Sequence, residues 1–96
     1  MTPIIKAKNI GPKIEIELRS IGITTLEQLT QIGYQEAMYD LVEIYPHRLH
    51  KMCCMALAGA ELNINCSEVS KDKNLMFAIN SFMKKIKSDL NLKQLL

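Results

Sequence analysis

Two histidines and three cysteines are the residues whose types could hold a metal. His47 and His50 stand three apart, Cys53 follows at the same interval beside Cys54, and Cys66 lies further on. A His-x-x-His pair on one helix face can reach a single zinc ion. Against that, Cys53 and Cys54 belong to the apolar run M-C-C-M-A-L-A, where a thiol is ordinarily a small core residue. No Cys-x-x-Cys pair completes a ligand set. Neither histidine has an identifiable carboxylate partner, and no neighbouring group activates a thiol as a nucleophile. The expectation is a non-enzyme with no catalytic residue, no metal, no cofactor and no small-molecule substrate.

The second candidate is the stretch K-N-I-G-P-K, residues 8–13. A glycine before the first turn of a helix lets an anion approach, and the orphaned N–H groups of that turn, here those of Lys13 and Ile14, can bind phosphate. Asn9, Gly11 and Lys13 would form such a grip, with Lys6 and Lys8 adding charge. The competing reading is a plain helix start. Asn9 or Gly11 caps, Pro12 pre-sets φ, and Lys13 is solvated. Position 13, two after Gly11, is lysine, so the loop offers no second glycine for close backbone approach. Only ten residues precede Gly11, too few for the first helix of a hairpin.

The elements that must position these residues are helical. I-E-I-E-L at 14–18 alternates like a strand, but Pro12 as a first helical residue and Gly22 as a left-handed stop predict a helix over Pro12–Ile21. A second helix is predicted over Thr25–Ile32, capped by Thr24 with Glu27 three residues on, and closed by Gly33. A third runs over Tyr34–Tyr45 with Ala37, Met38, Leu41 and Val42 at helical spacing, and Pro46 ends it. The fourth, His47–Leu62, is the most apolar. Its A-L-A-G-A lets a neighbour approach closely, so it is expected at the centre. N-I-N-C-S reads as a loop, and Ser70 as the cap of a fifth helix carrying Leu75, Met76, Ile79, Phe82, Met83, Ile86 and Leu90 on one side. The fold expected is all-α, one compact domain of about five helices.

Length and composition exclude several classes. Ninety-six residues with 48% hydrophobic and 23% charged suit a single globular domain. No apolar window approaches the ~18 residues of a membrane span, and the N-terminus lacks the layout of a signal peptide. An odd number of cysteines is not a secreted disulfide framework, so the expected compartment is the cytoplasm. Charge is segregated. Residues 1–20 carry Lys6, Lys8, Lys13 and Arg19 against Glu15 and Glu17, whereas residues 21–46 carry Glu27, Glu36, Asp40 and Glu43 and no base. Residues 67–96 carry six lysines against Glu68, Asp72 and Asp89. That layout argues against a uniformly basic nucleic-acid binder and allows a local basic patch. Tyr34, Tyr39 and Tyr45 lie in or beside the acidic block, which disfavours a base-stacking role.

The ordered set I-G-P-K (10–13), G-I-T-T-L-E-Q-L (22–29), I-G-Y-Q-E-A-M-Y-D-L (32–41) and M-A-L-A-G-A (55–60) resembles the C-terminal domain of TfoX, the bacterial regulator of competence for DNA transformation. The resemblance covers residues 5–80. It implies a regulatory module. The first part is also similar to the helix-hairpin-helix of DNA repair proteins and of the C-terminal domain of the RNA polymerase α chain, which hold backbone phosphate without reading sequence. What these likenesses imply is contact with the DNA backbone through Lys6, Lys8, Asn9, Gly11 and Lys13. The domain that precedes this one in full-length regulators is expected to be absent, since the chain begins at Met1.

Residues 81–96 extend beyond the family pattern as a basic amphipathic helix. Phe82, Met83, Lys84, Lys85, Ile86 and Lys87 are its candidate partner-binding residues, for a regulatory protein or a second copy of the chain. The bland alternative is a helix packed on its own domain, with lysines complementing the dipole at its C-terminal end. A protein-interaction or homodimerisation module without nucleic-acid contact is the second functional class.

Overall fold

A computed structural model describes residues 1–95, with side chains as far as Leu90. Six α-helices follow one another: α1 Pro12–Ser20, α2 Leu26–Ile32, α3 Tyr34–Ile44, α4 Lys51–Leu62, α5 Cys66–Lys71 and α6 Lys73–Leu95. Two single 3-10 turns, Ile4–Lys6 and Pro46–Arg48, precede α1 and α4. Among the described residues there is no strand, only one antiparallel bridge between Pro3 and Thr25. The all-α expectation holds, with one helix more than expected.

α4 is the central element and touches α2, α3, α5 and α6. Its Cys54, Leu57 and Ala58 are fully buried, together with Leu18 of α1, Leu29 of α2, Met38 and Leu41 of α3, and Ile79 and Ile86 of α6. The alternating run of α1 is helical, because Ile14 and Leu18 lie one turn apart on the core side while Ile16 is left 65% exposed. Gly22 and Gly33, predicted as stops, both adopt positive φ, 92° and 85°. The first helix of a hairpin is indeed missing: a single turn, Ile4–Lys6, stands before Gly11.

Several boundaries shift. The cap of α2 is Thr25, not Thr24. Its hydroxyl accepts the Gln28 N–H at 3.1 Å, and Gln28 Oε1 accepts the Thr25 N–H in return. The box partner is therefore Gln28 rather than Glu27. Glu27 instead accepts the Thr2 N–H at 2.7 Å, and that bond holds its carboxyl below the usual range. Residues 47–49 do not join α4. Leu49 has a non-helical ψ of 77°, and His50 caps the helix with its Nδ1 accepting the Met52 N–H.

Ser70 caps nothing. It lies inside α5, where its hydroxyl donates to the Ser67 carbonyl. Asp72 caps α6 instead, its carboxylate accepting the Leu75 N–H at 3.0 Å. The loop after α4 turns at Asn63, left-handed at φ 61°, and ends at Cys66, which already belongs to α5. On α6, Met83 and Ile86 are buried in the chain's own core, and Phe82 meets Tyr34 edge-on with ring centroids 6.5 Å apart. Two of the apolar partner-binding candidates, Met83 and Ile86, are thereby taken up by the domain itself.

Candidate functional site

Gly11 stands before α1 with extended backbone (φ −95°, ψ 178°), and Pro12 opens the helix. A Cβ on Gly11 would meet nothing within 4 Å. Neither its dihedrals nor its packing therefore requires glycine, and the backbone there lies open to solvent. Lys13 is exposed beside it. The N–H groups of the first turn point outward from the helix start without intrahelical acceptors. Lys6 and Lys8 are exposed as well, but they do not line the cleft that Gly11 and Lys13 border.

Asn9 serves the turn from inside. Its backbone is left-handed, φ 69°, a conformation asparagine tolerates better than most residues. Its amide nitrogen donates to the Ile64 carbonyl at 3.0 Å and, more weakly, to the Ala56 carbonyl at 3.4 Å. Its amide oxygen accepts the Cys66 N–H at 3.1 Å and so caps α5. This side chain, a phosphate candidate in the sequence, is thus committed to holding the turn against α4 and α5, and only its backbone remains for a ligand.

The turn forms one side of a cleft of about 620 Å³. Across from Gly11 and Lys13 it is lined by His47, Arg48 and His50, with Cys53 also reaching it. The start of α4, at His50, thus borders the same space as the start of α1. Both helix ends bring positive partial charge. Arg48 is held by Glu17, Nε to Oε1 at 2.5 Å, and His47 Nε2 lies 3.3 Å from the other Glu17 oxygen. The Glu17 side chain is itself only 13% exposed, so it holds the Arg48 guanidinium and the His47 imidazole without lining the cleft. The Tyr45 hydroxyl and the Ser20 hydroxyl, 2.8 Å apart, link the same segment to the end of α1.

His47, His50 and Cys53, the residues that suggested zinc, all border this cleft. Among the described residues, however, no three His, Cys, Asp or Glu side chains converge on a point where an ion could sit. One nitrogen of His50 is already occupied by the helix cap. Burial pushes the Cys53 thiol up to about 11, against the opposing pull of Arg48, so it is a neutral thiol at neutral pH. Cys54 is pushed up further, to about 12, by burial and by Cys53 beside it. The arrangement suits an anion better than a metal or a thiol reaction.

Arg48 is the cleft residue that the sequence does not single out. Its partner Glu17 lies 31 residues away, and no local pattern connects them. A cation next to Pro46 and two histidines is the one available hint.

Comparison with known families settles what kind of chain this is. The family model of the TfoX C-terminal domain matches residues 1–80. The chain belongs to the TfoX C-terminal domain family. No curated protein and no solved structure matched it. The match takes in five of the six helices and the start of the last, and both sides of the cleft. Membership in the TfoX C-terminal domain family places the chain among regulatory modules connected with competence for DNA transformation. Among its described residues, no helix is long and apolar enough to cross a membrane.

Proposed function

We propose that this TfoX C-terminal domain acts in regulation by contacting the DNA backbone, and that the cleft between Gly11–Lys13 and His47–His50 receives one phosphate. The observation that supports this reading is the meeting of two helix N-termini and the side chains of Lys13 and Arg48 around one open space. An oxyanion there would accept backbone N–H bonds from α1 and charge-assisted bonds from Arg48, whose guanidinium keeps donors beyond the one that Glu17 takes. Gly11 contributes by leaving the approach unobstructed. Lys6 and Lys8, exposed just upstream, would follow the neighbouring phosphates. Nothing in the set reads a base edge, so the contact is independent of sequence.

The test is a titration of duplex DNA of arbitrary sequence at several salt concentrations. The parent is expected to bind with an affinity that falls as salt rises. Each lysine that truly meets a phosphate reduces the slope of log K against log salt by about 0.9 when removed. The Lys6→Ala/Lys8→Ala/Lys13→Ala variant should therefore bind weakly on every sequence and with a flatter salt dependence. Equal binding of variant and parent at low salt would remove the proposal.

A further inference from the structure

α3 and α6 each leave one outward face that the fold does not explain. On α3, Ala37, Met38, Leu41 and Val42 face the core. Along the exposed flank beside them Glu36, Asp40 and Ile44 follow at intervals of four, with Ile44 58% exposed. On α6, Ile79, Met83 and Ile86 face the core. Opposite them stand Phe77, Lys84 and Lys85. Phe77 is 76% exposed, a large aromatic surface left in water. Glu36, Asp40, Lys84 and Lys85 make no ion pair with any described residue of their own chain.

The two faces match. Each carries one apolar side chain at one end and two like charges at the other, and the signs are opposite. Glu36 to Ile44 spans eight residues and Phe77 to Lys85 spans eight, about 12 Å along either helix. With the helices antiparallel, Phe77 meets Ile44 while Lys84 and Lys85 fall between Asp40 and Glu36. Antiparallel packing also sets the helix dipoles favourably.

We infer that the chain self-associates by laying the Phe77–Lys85 face of α6 on the Glu36–Ile44 face of α3 of a second copy. The charge complementarity and equal span within one chain identify the occupant as another copy of it. The contact uses neither side of the phosphate cleft and does not depend on DNA.

Sedimentation of the full chain at low and high salt tests it. At low salt the parent is expected at twice the monomer mass, moving towards monomer as salt screens the pairs. Lys84→Glu/Lys85→Glu and, separately, Glu36→Lys/Asp40→Lys should each be monomeric, because each makes both faces alike in sign. Mixing these two variants should restore a dimer, since every α3 face then finds an α6 face of opposite charge. Phe77→Ala should weaken the parent dimer at least tenfold. A parent that stays monomeric throughout overturns the inference and leaves the faces to a different protein. A dimer that persists in both charge variants overturns it too.

Discussion

Replacing Gly59 by alanine tests how the cleft is held together. A Cβ there would collide with the Asn9 amide nitrogen, and it would lie 2.6 Å from the Ile64 carbonyl oxygen and 3.2 Å from a Val69 methyl. In an exposed helix the same change would stabilise by about 1 kcal/mol through helix propensity. Here the first two approaches are far inside contact. One of the atoms is backbone and cannot swing away. Displacing Asn9 and Ile64 breaks two or three hydrogen bonds worth about 1 kcal/mol each, and the crowding itself costs about 1–2 kcal/mol. The net expectation is a loss of about 3 kcal/mol, or a fall in Tm of roughly 12–24 °C for a domain of this size. Urea unfolding followed by circular dichroism measures it. Asn9→Ala should cost somewhat less, and the double variant should fall short of the sum, because one clash disappears with the Asn9 amide. If Gly59→Ala lies within about 0.5 kcal/mol of the parent, or is more stable, the close approach of Asn9 to α4 is misplaced and the reasoning fails.

Other substitutions check the local structure independently. Thr25→Ala should destabilise by about 1 kcal/mol and Thr24→Ala by clearly less, since Thr25 holds the cap of α2; equal losses in urea unfolding would contradict the assignment. An aromatic disulfide reagent at neutral pH should modify Cys66, the least buried thiol, well before Cys53 and Cys54, and all three only after unfolding. The raised pKa values of Cys53 and Cys54 add an alkaline signature. Their neutral thiols support the fold fully below about pH 9, the unfolded value, and that support is lost as pH climbs towards 11 and 12. Stability that stays flat across that window in the parent, measured against a variant with both cysteines replaced by alanine, would count against their burial.

Much of the architecture is legible because it is written in local signals. The 3.6-residue period places α1, α3 and α4, and glycine at 22 and 33 marks turns that really need positive φ. Proline at 12 settles an ambiguous alternating run in favour of helix. What escapes has physical reasons. Adjacent threonines at 24 and 25 are chemically equivalent caps, and the choice rests on Gln28, whose amide reaches back as a glutamate would. α5 has six residues and one buried side chain, Val69, too little for any period to show. Within the candidate site, Gly11 and Lys13 are visible as a pattern, whereas the opposite side of the cleft is assembled by tertiary packing. Asn9 reads as cap or ligand from its neighbours in sequence, yet its partners are 47 to 57 residues away.

That separation also governs when the turn can exist during synthesis. Asn9 leaves a ribosome well before its partners, because the carbonyls and N–H it needs belong to Ala56, Ile64 and Cys66. At about 5–20 residues per second, several seconds pass before these partners emerge. Until then the left-handed backbone at position 9 lacks the side-chain bonds that tie the turn to α4 and α5. The phosphate-facing turn therefore acquires its full set of hydrogen bonds only once the chain has been translated as far as Cys66.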